Sequence, residues 1–392
     1  MTLTQTQKTW IGAGIVAAGM VALWTLVVKA DAADLGGNCC SDLEERIAEL
    51  EATTARKGNK KVAVTIYGTV NKALLFYDLD GESDQRIIEN TASESRVAFV
   101  GEAKFEKGWA AGFVIEVGIG RWDILTDIAA VSNSSEIYTR QSAVYLTSPA
   151  GKVSLGLTSE ASDGIAELTT ANTGAVVRSL SLRPLLGGDG ITENLDLFDG
   201  QRLNVLRYDS PAIAGFIVSA SWSQDGTDLG TGQSDVWDVA VRWAGEFSGF
   251  RAIAGVAYRD GAVFPGAAPI IPIGVVAFDQ DTVSGSASLM HMGTGLFVTA
   301  AAGKADLGGT EIKGLHITPG IEKNWFGLGP TTLYGEWMRW EIDGGGEIEM
   351  YGFGAVQAIN NAATDIYLNY RNLDLGGDED VDTWMTGARV KF

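Results

Sequence analysis

Cysteine is almost missing from this chain of 392 residues: there are two, and they are neighbours, Cys39 and Cys40. Adjacent cysteines cannot staple distant parts of a fold, so no disulfide framework holds the molecule together. They serve either as two small side chains or as links between subunits. Histidine is as scarce, with only His291 and His316, and no zinc set of ordinary spacing can be assembled from these residues. Neither a Gly-x-Ser-x-Gly elbow nor a Walker phosphate loop occurs. Ser288 and His291 stand three apart, which on a strand places them on opposite faces and out of reach as nucleophile and base. No enzyme and no cofactor is expected. Basic residues are outnumbered, 29 against 49 acidic, for a formal charge of −20; this argues against nucleic acid, whose phosphates need a basic face. Past the N-terminus there is no long apolar block. That leaves no candidate membrane helix downstream, yet a β-barrel with a polar interior hides in such a composition, because its strands alternate instead of forming apolar runs.

The N-terminus carries a targeting pattern. Lys8 precedes an uncharged run over residues 10–28, followed by Lys29 and the small-x-small triplet Ala30-Asp31-Ala32. Residues 1–32 are expected to be a signal peptide cleaved after Ala32 or Ala33; an uncleaved anchor helix is the alternative, since the run exceeds the usual apolar core of about 7–15 residues. Removal takes away Lys8, Lys29 and Asp31 and shifts the formal charge from −20 to −21. A lipoprotein acceptor is disfavoured by Asn38 before Cys39. Residues 33–61 then change period: Leu43, Ile47, Leu50 and Thr54 recur at spacings of four and three, and Ser41 with Glu44 forms a capping box. The expectation is a short coiled-coil stalk in the periplasm, with an isolated amphipathic helix as the alternative. Arg56, Lys57, Gly58, Asn59, Lys60 and Lys61 form a linker.

From residue 62 to 392 the pattern has period two. Phe250, Ala252, Ala254, Val256 and Tyr258 share one face of a run, and Arg251, Gly255 and Arg259 the other, one side fit for lipid and one for water. Val97, Phe99 and Phe105 oppose Arg96, Glu102 and Lys104; Trp237, Val239, Val241 and Trp243 oppose Asp238 and Arg242. Sixteen such runs begin near residues 62, 94, 109, 140, 151, 202, 215, 234, 250, 282, 295, 314, 330, 347, 363 and 382. Short connections near 106–108, 148–151, 209–214, 245–249, 292–294, 326–329 and 359–362 alternate with longer polar ones such as 78–93, 121–139, 260–281 and 374–381. A soluble sandwich has no reason to keep short turns at one end, whereas an outer-membrane barrel does. Aromatics gather beside the short turns, Phe105 with Trp109, Trp243 with Phe250, and Trp325 with Phe326, as an interfacial girdle. The predicted fold is therefore an all-β, sixteen-stranded antiparallel transmembrane barrel.

One segment breaks the alternation. Residues 160–200 carry Asp163, Glu167, Asp189, Glu193, Asp196 and Asp199 among glycines and small residues. Connections longer than about 12–15 residues are usually functional or disordered. By strand count this one follows the fifth run, on the long-loop side, in a barrel wide enough to need narrowing.

Three stretches resemble the trimeric sixteen-stranded porins of the alpha-proteobacterial kind: CCSDLEERIAELEATTARKGNKKV leading into Thr65-Ile66-Tyr67-Gly68, GLTSEASDGIAEL opening the long loop, and the terminal ARVKF. The resemblance implies a homotrimer of water-filled channels in the bacterial outer membrane, passing small hydrophilic solutes and ions by passive diffusion. It implies a third outside loop folded inward as the constriction, its acids facing a basic ladder on the wall. Parity supplies Arg96, Lys152, Arg251, Arg259, Arg389 and Lys391 for that ladder, and opposed charge across an eyelet orients solutes and biases ion flow. Arg178 and Arg183 sit on the same loop and oppose its negative sign. A mild preference for cations is expected from the overall charge. The terminal Phe392 resembles the insertion signal read by the barrel-assembly machinery, and lipid and lipopolysaccharide are the expected surroundings. A substrate-selective channel on the same fold and a tether to peptidoglycan are the alternatives.

Overall fold

The computed structural model describes residues 62–79, 81–121, 135–181, 197–224, 235–263, 278–374, 376 and 380–392. The leader expected at 1–32 and the stalk expected at 33–61 lie outside the described residues.

The alternating runs form seventeen strand segments in one antiparallel sheet. In chain order they are β1 (Ala63–Leu79), β2 (Glu82–Glu89), β3 (Arg96–Glu106), β4 (Trp109–Arg121), β5 (Ser135–Ser148), β6 (Gly151–Ser159), β7 (Arg202–Asp209), β8 (Phe216–Gln224) and β9 (Asp235–Phe247). Then follow β10 (Phe250–Val263), β11 (Phe278–His291), β12 (Leu296–Leu307), β13 (Thr310–Lys323), β14 (Thr331–Ile342), β15 (Glu347–Ile359), β16 (Thr364–Asp374) and β17 (Asp380–Lys391). Each pairs with its neighbour in sequence except β2 and β3, which both pair with β1, and β17 returns to β1 from Thr69↔Lys391 to Leu79↔Val381. Closure removes the edges that lipid would not tolerate. β2 and β3 are two halves of one wall strand, because β1 pairs its later residues with β2 and its earlier ones with β3, on the same side. The wall is a closed barrel of sixteen strands, the number read from the alternation.

Two expectations need correction. Residues 78–93, read as a long polar link, are instead a tight hairpin in which Leu79 pairs Glu82, then β2, then a 3-10 turn at Thr91–Ser93. Connections at the same end are also short at residues 308–309 and 343–346. The cause is the same in both cases. Where strands project beyond the bilayer, both faces are wet, so apolar alternation stops before backbone pairing does. β11 and β13 begin at Phe278 and Thr310, ahead of the apolar signal that placed them near 282 and 314. The opposite end keeps its connections at residues 107–108, 149–150, 210–215, 248–249, 292–295, 324–330 and 360–363. One of them depends on glycine: Gly295 has φ 76°, and a Cβ there would meet the Glu322 carbonyl oxygen at 1.9 Å.

The faces follow parity. Val144, Leu155, Val256, Val283 and Val298 are exposed on the outside, while Ser219, Ser221, Ser284, Ser286, Ser288 and Thr299 are buried on the inside. Beside the short connections Phe105 meets Trp109 at 6.3 Å, Phe216 meets Trp243 at 6.2 Å and Phe247 stacks on Phe250 at 6.2 Å. Toward the other end a second aromatic belt appears, Trp237 with Tyr258 at 5.2 Å and Tyr370 with Trp384 at 5.0 Å. Past it the outer face turns ionic: Arg339 bonds Glu347 at 2.5 Å and lies 3.3 Å from Glu341, and Lys313 bonds Glu311 at 2.7 Å. Two aromatic belts around an apolar band are what a bilayer selects.

Candidate pore lining

On a strand in this wall every second side chain points to the lumen. β8 and β11 use that rule to set hydroxyls and amides in rows, Ser219, Ser221 and Ser223 on one and Gln280, Thr282, Ser284, Ser286 and Ser288 on the other, all buried. A small hydroxyl leaves room for a second chain segment and can bond its backbone, and the segment between β6 and β7 takes up those bonds. The amide of Ala161 donates to Ser221 at 3.1 Å, that of Ser162 to Asp238 at 2.5 Å, that of Leu168 to Ser286 at 3.1 Å and that of Thr170 to Ser288 at 3.0 Å. The amide of Asn172 donates to Glu322 at 2.7 Å and its side-chain amide to Asp365 at 3.1 Å. Carbonyls accept as well: Gly174 from Arg389 at 3.2 Å, Ala175 from Asn90 at 3.0 Å, and Val176 from Arg371 at 2.8 Å. Backbone groups that no strand pairs are thus satisfied by wall side chains, which keeps their burial from costing free energy.

Apolar contacts seat the same segment. Ile165 lies with Ala240 and Ala257, and Ala171, Ala175 and Val176 lie with Leu75, Met290, Tyr334, Val356 and Tyr367. Leu180, Leu197 and Phe198 join Ile312, Met338 and Trp340, with Phe198 edge-on to Trp340 at 5.1 Å. Glycines in the wall make the space: a Cβ on Gly303 would meet the Phe198 ring at 2.4 Å, and one on Gly255 would meet Leu168 at 2.7 Å.

Among the described residues, four of the ion groups lie on the inner side of the wall. Arg259 bonds Glu160 at 3.1 Å, while Arg207 donates to the carbonyls of Ser159 and Glu160 and bonds Asp209 at 2.7 Å. Burial pushes the Glu160 carboxyl up in pKa, opposed by Arg259. Deeper under the segment, Arg371 bonds Glu336 at 2.7 Å, His316 Nε2 lies 3.5 Å from that carboxylate, and His316 Nδ1 accepts the Leu180 amide at 3.2 Å. A third group joins Arg389 and Lys391 to Asp365 at 2.7 and 3.4 Å. In the fourth, Arg140 bonds Glu116 at 2.7 Å and also pairs Glu94, and Arg96 lies 3.8 Å from Glu116.

The residues singled out from sequence fall as follows. Arg96, Arg259, Arg389 and Lys391 are in the groups just given. Lys152 lies over the Tyr145 ring at 4.4 Å, and Arg251 bonds Glu246 at 2.9 Å. Asp163 lies 3.6 Å from Arg202, Glu167 pairs with Arg178, and Asp199 accepts the Gly164 amide at 2.8 Å and lies 3.7 Å from Arg178. Asp189, Glu193, Asp196 and Arg183 lie outside the described residues. Sequence reasoning passed over Arg371, Glu336, His316, Asp365 and Arg140. Parity would have put Arg371, Glu336, His316 and Asp365 on the inner face with buried neighbours two residues away, whereas Arg140 lies at a register shift of the β4–β5 ladder, with exposed Ser142 two residues on, so alternation alone misplaces it. Among the described residues no cluster of His, Cys, Asp or Glu has the arrangement of a metal site.

Solved structures show the same architecture. An anion-selective porin from Comamonas acidovorans superposes with a TM-score of 0.60 at 20% identity, covering 84% of this chain and 100% of that one. The trimer form of OmpT from Vibrio cholerae gives a TM-score of 0.55 at 17% identity, with 85% and 100% covered. OmpF of Salmonella typhi gives 0.55 at 12%, with 86% and 99% covered. At these identities the likeness concerns the fold alone, and no curated protein matches the chain by sequence. Family membership rests on a separate finding: residues 47–389 match the sequence profile of Gram-negative porins. A profile matched over most of the chain, together with a closed barrel polar within and aromatic-belted without, makes this chain a member of the Gram-negative porin family.

Proposed function

We propose that the chain forms a water-filled channel across the outer membrane for passive diffusion of small hydrophilic solutes and ions, with the 160–200 segment as its constriction, its described residues 160–181 and 197–200 lying inside the wall. The observation that carries this reading is the set of hydrogen bonds from that segment's backbone to inner-face side chains on β8, β9, β11, β13, β16 and β17. Such a segment narrows the cross-section without sealing the cylinder by a domain of its own, and the buried ion groups fix where it runs. Transport of this kind needs a lined hole and a gradient, with no covalent step.

Finer features belong to the same proposal. The chain works as a homotrimer of the alpha-proteobacterial general-diffusion kind, supported by the stalk-like stretch at residues 33–61 and by the trimer form described for the Vibrio cholerae protein. Phe392, exposed on the outer face beside Gly68 and bonded to it through both backbone groups, is the signal for the assembly machinery. A mild cation preference is supported by the acidic outer rim, where Asp260, Asp281, Asp306, Glu311, Glu341, Glu347 and Glu349 outnumber Lys304, Lys313 and Arg339. Purified protein in a planar bilayer under a salt gradient tests the channel reading and the ion preference. The expected record is stepwise conductance rising in proportion to salt, with a reversal potential on the cation side. Absence of steps would end the channel reading; a chloride-side reversal would end the cation preference alone; conductance saturating with one solute would replace general diffusion by selective transport.

A further inference from the structure

Two kinds of side chain hold the segment between β6 and β7 to the wall. Around Gly174 and Ala175 the partners keep one charge state across neutral pH: Arg389 donates to the Gly174 carbonyl at 3.2 Å, and Asn71 and Asn90 donate to the Ala175 carbonyl at 3.3 and 3.0 Å. Asn71 also donates to the Ser93 carbonyl at 3.1 Å and accepts from Tyr367 at 2.7 Å. Further along the segment the partner changes in kind. The Leu180 amide donates to Nδ1 of His316 on β13 at 3.2 Å, and both residues are buried.

That acceptor role fixes the proton on the other ring nitrogen. A neutral imidazole has one N–H and one lone pair, so with Nδ1 accepting from Leu180 the proton sits on Nε2, which lies 3.5 Å from Glu336 on β14 and 3.5 Å from the Thr318 hydroxyl on its own strand. A second proton turns Nδ1 into a donor facing a donor, and the bond to Leu180 is lost. Leu180 then lacks part of what enforces its backbone: φ is 57°, in the left-handed region that a leucine holds only where its surroundings over-determine it. Its side chain is lodged with Phe198, Ile312 and Met338, in space left by Gly314, where a Cβ would meet Phe198 at 2.8 Å and Leu180 at 3.0 Å.

The groups around the ring allow the second proton. Glu336 faces Nε2, so an imidazolium formed there is a paired charge and not a bare one. Arg371 on β16 holds the same carboxylate at 2.7 Å and opposes the added charge, while its Nη2 donates to the Val176 carbonyl at 2.8 Å. Tyr334 stands two residues from Glu336 on the same face of β14 and is buried with it. Opposite His316 in the sheet are Ala301 on β12 and Met338 on β14, neither of which titrates. On the segment, Arg178 pairs with Glu167 and lies 3.7 Å from Asp199. Histidine is the side chain whose charge ordinarily changes between about pH 5 and 8.

We propose that His316 is an acid-released latch: its neutral ring holds residues 178–181 against β13 through the Leu180 amide, and protonation at Nδ1 frees that stretch while the turn at Gly174 and Ala175 stays bound. Behind the stretch is a closed wall, so once freed it moves toward the lumen. The effect on current rests on the channel reading proposed above. The latch itself rests on the ring and the two groups that bracket it, the Leu180 amide and the Glu336 carboxylate.

Because the chain has two histidines, nitrogen NMR of the detergent-folded protein, labelled in its histidine rings, reads the latch directly, with His291→Gln giving the assignment. At about pH 8 the His316 Nδ1 should resonate as a bare acceptor and Nε2 as an N–H, and toward about pH 5 Nδ1 should shift to the protonated position. A proton on Nδ1 at the alkaline end, or an Nδ1 that stays bare at the acid end, would overturn the proposal. In planar bilayers the open-channel noise of the wild type should rise over the same range as the bath is acidified. His316→Asn keeps an acceptor near the place of Nδ1 and cannot titrate, so its noise should lose the dependence on pH. His316→Leu has no acceptor and should be noisy at both ends. An acid rise that survives in His316→Asn would sink the latch and leave the channel standing. Absence of conductance steps at every pH would end the channel reading, and the Nδ1 shift would still decide the latch.

Discussion

Arg371 and Glu336 show what period-two alternation reveals about a residue and what it withholds. Parity gives each its face. It does not say that β14 and β16 bring them together across the intervening strand, nor that the carbonyl of Val176 completes the arginine's bonds. Buried ion pairs are unforgiving when one member goes, because the other keeps its charge without water. Glu336→Gln should therefore cost roughly 3–5 kcal/mol in a urea-unfolding titration of the detergent-folded barrel, with Arg371→Met a similar loss and the double substitution less than their sum. Phe198→Ala should cost about 3–5 kcal/mol and shift the emission of Trp340, on whose ring it packs edge-on; unchanged emission would mean that the contact does not persist in solution. Glu160 supplies a pH dependence. Its carboxyl is raised by burial, so the folded state holds that proton more tightly than the unfolded state does. Its contribution is fully present below the unfolded value, near about 4.3, and fades as pH rises through the higher folded value. Wild type should thus gain stability relative to Glu160→Gln as the pH is lowered from neutral toward 5; a constant difference would show that Arg259 cancels the effect of burial.

At the scale of the element, the segment between β6 and β7 was visible as an interruption, and its partners were not. Its acids were expected to face the wall's basic side chains. In the described part Asp163, Glu167 and Asp199 meet Arg202 and Arg178 near the segment itself, and Glu160 is the acid that reaches the wall at Arg259. What holds the rest is backbone bonding to serines and threonines, and side chains that ordinary carry no sequence signal of a partner. The glycines do carry one, once the packing is known. Gly303→Val should force Phe198 from its seat at a cost of about 1–3 kcal/mol and loosen the proposed constriction, seen as noisier and larger single-channel steps. Excising residues 166–178 with a short glycine bridge should enlarge the steps further; steps of unchanged size would mean that the narrowest point lies elsewhere. The second wall strand teaches the same lesson from the other side, since ESDQRIIE pairs along β1 although its polarity reads as a link.

For the whole molecule, strand number, wall polarity and the end with short turns were all legible, because a bilayer demands the same alternation from each strand in turn. The extensions above the membrane were not, since water imposes no such demand. The charge at the rim and the charge on the segment between β6 and β7 are separate quantities, and neutralising the rim carboxylates Glu341, Glu347 and Glu349 together should reduce the proposed cation preference in dilute salt and leave it little changed near 1 M, where the Debye length falls to about 3 Å.

The seam between β1 and β17 has a kinetic meaning. Thr69 donates its hydroxyl proton to the Val390 carbonyl across 321 positions of sequence, while every other strand pair in the wall joins neighbours. Hairpins can zip locally, but this last ladder waits for the two ends of the barrel domain to meet, and loop closure of that span slows folding far more than it weakens the product. The chain must therefore be held open-edged until β17 arrives, and the rate of assembly should depend on the final strand's sequence more steeply than the stability of the finished channel does.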